Sequence, residues 1–182
     1  MSSIRRSAAL LAGPALAAVV ATSVVAGPSG ALHASGTFVD ASGATVGWVK
    51  LTEDRTGLVH VNVKVEGLTA GLHGIHIHGV GSCSTTATAF DGAGGHYNPA
   101  GREHGLENPA GPHAGDLPNL VVDLDGDGTL NAKTDRVTLD TTSLFDADGS
   151  AFIIHVNPDN QTNTPVNGGS GGRVACARLV AD

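Results

Sequence analysis

Between residues 58 and 66 the chain alternates without a break, with Val59, Val61, Val63 and Val65 on one side and His60, Asn62 and Lys64 on the other. A period of two puts each set on its own face of an extended backbone, so the segment reads as a half-buried antiparallel strand. The β-branched run 45–51 precedes it after the turn signal Ser42-Gly43, and residues 34–40 form a strand at the front. After it, the Gly-bounded stretch 67–71 leads into 75–78, and 120–124, 129–139, 151–156 and 174–180 supply the remaining strands. No window carries a helical stripe. The pattern predicts an all-β domain, an eight-stranded antiparallel Greek-key β-barrel or sandwich. Two stretches, 79–118 and 157–172, do not keep the strand rhythm. Loops of that length in a compact domain are usually functional.

Composition narrows the picture. Glycine accounts for 26 of 182 residues and aromatics for only 3%, a mixture suited to short strands and tight turns. Lys and Arg total 10 against 17 acidic residues, which argues against nucleic-acid binding through a basic face. Residues 1–26 begin with Arg5 and Arg6, continue as an uncharged Ala-rich run broken by Pro14, and end in small residues at Val24 and Ala26. This reads as a secretory signal peptide. The mature domain would then be 27–182, exported to an extracellular, cell-envelope or periplasmic location and free of the membrane once cleaved. Loss of the two arginines takes the net charge from −7 to −9. In an oxidising compartment the two cysteines, Cys83 and Cys176, are expected to close a single disulfide.

Nine histidines in a chain with one Trp and one Tyr are the chief chemical oddity. His76 and His78 lie two apart in a strand, so both rings point to one face and are spaced to hold one metal. His96, His104, His113 and Asp116 follow in the long loop, and His155 ends a buried Ile-Ile strand. So many imidazoles cannot all be ordinary core residues. Imidazole suits zinc and copper, and three His with one carboxylate make a closed tetrahedral set of the structural-zinc kind.

These segments resemble the copper, zinc superoxide dismutase family over nearly the whole mature chain. Gly71-Leu72-His73-Gly74-Ile75-His76-Ile77-His78 is similar to its GLHGFHxH signature, and Gly95-His96-Tyr97-Asn98-Pro99 to its GxHxNP segment. His104, His113-Ala114-Gly115-Asp116, His155 with Asp159, and Gly172-Arg173-Val174-Ala175-Cys176 complete the likeness. The resemblance implies copper held by His76, His78, His96 and His155, and zinc held by His96, His104, His113 and Asp116. His96 would be shared by both metals and act in proton transfer. Asp159 would orient one copper His and one zinc His, Arg173 would guide the superoxide anion, and His73 would bond backbone near the site. His33 and His60 are expected to face solvent.

The implied activity is dismutation of superoxide to dioxygen and hydrogen peroxide. A secreted copper- and zinc-binding buffer or copper-delivery protein without turnover is the alternative. Some residues depart from the family pattern. Arg178 stands where a small apolar run is usual, residues 79–94 offer few bulky apolar side chains for a dimer contact, and 157–172 contain no Lys or Arg. Either a monomer or a homodimer is compatible with this. Asp123-Leu124-Asp125-Gly126-Asp127-Gly128 mimics the start of a calcium loop, but Thr134 replaces the closing Glu and helical flanks are lacking, so it is read as a turn.

Overall fold

The computed structural model describes residues 31–182; the expected leader, 1–26, lies outside the described residues. Ten strands follow one another along the chain: β1 (Leu32–Asp40), β2 (Thr45–Glu53), β3 (Val59–Val65), β4 (Gly71–His73), β5 (Ile75–His78), β6 (Leu120–Val122), β7 (Gly128–Thr134), β8 (Ala151–His155), β9 (Arg173–Arg178) and β10 (Val180–Ala181). They pair antiparallel in the order β4-β6-β7-β3-β2-β1-β9-β8-β5, with β10 joining β1. The two ends of this path, β4 and β5, are neighbours in sequence, so the sheet wraps into a nearly closed barrel. Closure leaves few strand edges free to pair with another chain.

The all-β barrel matches expectation, with two additional short strands. The first arises at Gly74, where the His73–Ile75 backbone breaks away from β6 and turns to β8. A Cβ on Gly74 would lie 2.6 Å from Ser170 Oγ, so only glycine allows the crossing loop to pass this close. The Gly74 N–H donates to Asn157 O and its carbonyl accepts from His155 N–H, which fixes the break. The second is the detached β10, which pairs Ala181 with Ala34. The strand expected over 129–139 ends at Thr134. Val137 and Leu139 beyond it are buried in the core without ladder pairing, and the Leu139 N–H donates to Glu53 Oε2.

The alternation in β3 is realised as read, with all four valines buried; Val61 pairs with Leu51, and Val63 with Val49 and Leu130, on the neighbouring strands. Around them Phe38, Ile75, Ile77, Leu120, Leu144, Phe152 and Ile154 form the interior. A smaller cluster of Phe90, Ala93, Ala151, Ile153 and Cys176 lies outside the barrel wall and seats one of the long loops. Burial of this apolar surface supplies the main stabilisation. The Asp123–Asp127 segment is a turn between β6 and β7, its Asp123 Oδ1 accepting the N–H groups of Asp125 and Asp127.

Candidate metal centre

Strand β5 is buried on both faces: Ile75 and Ile77 point into the barrel, whereas His76 and His78 point outward under the loops. Their ring centroids are 6.4 Å apart, as two residues on one strand face require. The long loop lies along β5. Tyr97 N–H donates to Ile77 O at 2.8 Å, Ile77 N–H to Gly115 O at 2.9 Å and Gly115 N–H to Tyr97 O at 2.9 Å. These bonds set His96 opposite His78 and Asp116 opposite His76. Gly115 is required here, because a Cβ would meet Ile77 O at 2.2 Å. From the other side, the pairing of β5 with β8 ends on Ile75 and Ile154 and so delivers His155 to the same face.

Two donor sets result. Ligand atoms of His76, His78, His96 and His155 all lie within 4.8 Å of one another. In the second set three ring nitrogens surround a single carboxylate oxygen: Asp116 Oδ1 lies 3.1 Å from His96 Nδ1, 3.0 Å from His104 Nδ1 and 3.3 Å from His113 Nδ1. Asp116 Oδ2 accepts the N–H groups of Gly105 and His113, each at 2.9 Å, which fixes the carboxylate. Ligand atoms of His76, His96, His104 and Asp116 also fall within 4.8 Å of one another. His113 occupies the outer side, its Nδ1 3.3 Å from His96 Nδ1.

The hydrogen bonds of the rings decide which nitrogen each can offer. His76 Nε2–H donates to Asp159 Oδ2 at 2.5 Å, His78 Nδ1–H to Gly94 O at 2.9 Å and His155 Nδ1–H to Gly171 O at 3.0 Å. The opposite nitrogens, His76 Nδ1, His78 Nε2 and His155 Nε2, are buried without a hydrogen-bond partner. Buried nitrogens are rarely left without partners, and three converging on one point fit a metal ion. Burial drives His76 down to about 3 and His155 to about 4, and pushes His78 well below its ordinary value, so these rings are neutral and ready to ligate. At His104 burial acts downward too, yet bonds to Asp116 and Asp159 prevail and raise it to about 9.

The region from Thr45 to Leu179 is spanned by a family model described as copper/zinc superoxide dismutase, residues 45–179. The chain belongs to the copper/zinc superoxide dismutase family. It is 39% identical over 139 residues to the Cu-Zn superoxide dismutase of Caulobacter vibrioides, covering 74% of this chain and 78% of that one. It is 38% identical over 149 residues to the superoxide dismutase-like protein YojM of Bacillus subtilis, covering 80% and 74% respectively. The crystal structure of the Cu/Zn superoxide dismutase of Brucella abortus superposes with a TM-score of 0.68 at 29% identity, over 80% of this chain and 98% of that one.

Membership, together with the two donor sets, makes copper and zinc the cofactors and superoxide the family's substrate, and supports superoxide dismutation as the general activity. The dismutase fold also explains the remaining residues. A cavity of about 280 Å³ opens over the first donor set and is lined by His78, His96, His155, Asn167, Ser170 and Arg173. Arg173 donates from Nη1 to Phe90 O and from Nη2 to Gly94 O, both at 2.5 Å. Cys83 and Cys176 are joined in a disulfide, which ties the loop bearing these carbonyls to β9, the strand bearing Arg173. Arg102, an arginine within the long loop itself, is committed to Gly111 O through Nε and Nη2.

Asp159 stands between the two sets, its carboxylate also 2.9 Å from His104 Nε2. Asn119, which sequence reasoning missed, clamps it: Nδ2–H donates to Asp159 O at 2.7 Å, and Asp159 N–H donates to Asn119 Oδ1 at 2.8 Å. Gly168 is a second residue missed. A Cβ there would lie 2.0 Å from Asp159 Oδ1, and its φ of +68° further favours glycine. Arg136 donates from Nη2 to the backbone carbonyl of Asp116 at 2.6 Å and so holds the main chain that carries the carboxylate. His73 bonds backbone as expected, at His155 O and Thr69 O. His33 is exposed, while His60 is half-buried against Asp54 at 3.1 Å and does not simply face solvent.

Proposed function

We propose that this protein is an exported superoxide dismutase in which His76, His78, His96 and His155 hold copper, while His96, His104, His113 and Asp116 hold zinc. The observation that carries this reading is the set of three unpartnered nitrogens, His76 Nδ1, His78 Nε2 and His155 Nε2, each left free because the other ring nitrogen is bonded elsewhere. His76 serves copper alone in this assignment, because its Nε2 proton is committed to Asp159 and only Nδ1 remains. That leaves His113, whose Nδ1 approaches both Asp116 and His96, as the last zinc ligand.

Bound copper would supply the one-electron exchange that turns two superoxide anions and two protons into dioxygen and hydrogen peroxide. The chain's own residues do the rest. His96 commits Nδ1 to the zinc set, so its Nε2 is the nitrogen available to the copper set and the atom that holds and yields a proton beside the cavity. Arg173, fixed by two carbonyls, presents a cation to an incoming anion on a protein whose overall charge is negative. Superoxide dismutases are a standard general example of such steering and of diffusion-limited turnover, so a fast rate is a property of the family; the steering charge assigned here is Arg173. His104, Asp116 and Asp159 keep the loop and His76 in place.

Export is part of the proposal, with residues 1–26 as the cleaved leader and 27–182 as the mature domain. The disulfide is consistent with it. The kinetic test is the second-order rate of superoxide loss, followed by pulse radiolysis on copper, zinc-loaded protein and its Arg173→Glu variant. Arg173→Glu should lower the rate at least about tenfold with both metals bound, and flatten or reverse its fall with salt. A metal-binding buffer would give no copper-dependent rate in either protein, and that result would overturn the proposal.

A further inference from the structure

Among the described residues the guanidinium of Arg173 is hydrogen-bonded only to carbonyls of one short loop, so whatever shapes that loop sets where the cation stands. Both acceptors, Phe90 O and Gly94 O, flank a single 3-10 turn, Asp91–Ala93. Phe90 is buried, yet its backbone is left-handed at φ 57°, a conformation that a bulky residue adopts only when its surroundings impose it. Burial of the Phe90 ring against Ala93, Ile153 and Cys176 holds the side chain, but does not by itself dictate the carbonyl's direction.

Asp91, the next residue, is bonded back across the loop. Its Oδ1 accepts Thr86 N–H at 2.8 Å, and its Oδ2 accepts Thr86 Oγ1–H at 2.6 Å and Ala87 N–H at 2.8 Å. One carboxylate thereby folds residues 86–91 back on themselves. Phe90 N–H is bonded within the same knot, to Thr85 Oγ1 at 3.2 Å. Gly94 O, the second anchor, also accepts His78 Nδ1–H, so the loop couples the cation to a metal-facing ring.

We propose that Asp91 is the positioning residue for Arg173: its carboxylate knots the loop so that Phe90 O and Gly94 O hold the guanidinium at the mouth of the metal cavity. The inference rests on the reading that Arg173 guides the anion. It makes a prediction opposite in sign to simple electrostatics. Removing an acidic charge from a negatively charged protein should by itself speed the capture of an anion. Removing the knot should slow it, because Arg173 is released.

The test uses copper, zinc-loaded protein and the variants Asp91→Ala, Asp91→Asn, Arg173→Gln and Asp91→Ala/Arg173→Gln. Rates with superoxide are measured by pulse radiolysis, and the Arg173 side-chain N–H signals by NMR on the reduced, diamagnetic protein. Asp91→Ala should lower the rate roughly three- to tenfold, the size of a coupling within one hydrogen-bonded network. Asp91→Asn, which retains one oxygen for Thr86 N–H, should fall between it and the parent. The double variant should be no slower than Arg173→Gln alone, since Asp91 acts through that side chain. Separate Nη signals, expected in the parent from restrained rotation, should merge in Asp91→Ala. A rate that rises in Asp91→Ala with the Nη signals unchanged overturns the inference. So does a double variant that loses the sum of the two single effects. If Arg173→Gln itself keeps the parent rate, the guiding role of Arg173 fails, whereas the NMR arm still reports separately whether Asp91 holds the guanidinium.

Discussion

Asp159→Asn should separate the two metals. Three donors converge on this carboxylate: His76 Nε2–H at Oδ2, Gln161 N–H at Oδ1, and His104 Nε2–H between the two oxygens at 2.9 and 3.1 Å. An asparagine amide has one acceptor oxygen and one donor nitrogen, so it cannot serve all three. Gln161 N–H is backbone and cannot change; an imidazole can move its proton. The amide oxygen therefore turns to Gln161 and His104, and the amide nitrogen faces His76. His76 must then accept at Nε2 and carry its proton on Nδ1, the nitrogen proposed to bind copper. His104 keeps an acceptor at Nε2, so its Nδ1 still faces the zinc set beside Asp116. Loss of such an outer partner typically weakens a metal about 10- to 100-fold. The expected result is copper weakened within that range and zinc within a few-fold of the parent. Asp159→Ala, which strips acceptors from both rings, should weaken both. Competition titrations with chelators of known affinity, one metal at a time, give the two constants. Equal loss of both metals in Asp159→Asn, or loss of zinc first, would refute the tautomer argument.

Other outcomes follow from the same geometry. His155→Ala should abolish dismutation while metal analysis still finds zinc, because His155 belongs to the copper set only. Cys83→Ser opens a loop spanning 93 residues, for which the chain-entropy model gives an upper bound of about 4.7 kcal/mol; denaturant unfolding should show a large drop below that bound, and native protein with titratable thiols would contradict the pairing. In the metal-free protein His104 holds a proton up to about pH 9, whereas His76 and His155 are already neutral above about 3 and 4. Zinc uptake at neutral pH should therefore expel a proton, and zinc affinity should rise as pH approaches 9. Copper uptake by the other set should expel none from those two rings. Calorimetry in buffers of different ionisation enthalpy reads the proton count directly.

The sequence was informative wherever a local period carried the message. The valines of β3 and the pair His76 and His78 are placed by a two-residue repeat alone, and the structure keeps both. The break at Gly74 was not legible because its cause, Ser170 packed against the backbone, comes from a distant part of the chain. The end of β7 at Thr134 was hidden for a related reason. Val137 and Leu139 carry the apolar signal of a strand but are buried by contacts other than a ladder. Asn119 lies 40 residues from the Asp159 it clamps, and an asparagine beside a strand has no pattern to mark it. Asp91 is different: its bonds are local, but their consequence, the position of Arg173, depends on a residue 83 positions from Phe90. Half-burial of His60 depends on Asp54 across a turn, which alternation alone does not reveal.

The shared histidine is the centre of this account, and anomalous diffraction from crystals of the active, copper, zinc-loaded protein tests it most directly. Data collected on either side of the copper and zinc absorption edges should give a copper peak among His76 Nδ1, His78 Nε2, His155 Nε2 and His96, and a zinc peak among His104, His113, Asp116 and the Nδ1 of the same His96 ring. A zinc peak bound by His76 with His113 turned away, or two metals that do not share His96, would contradict it.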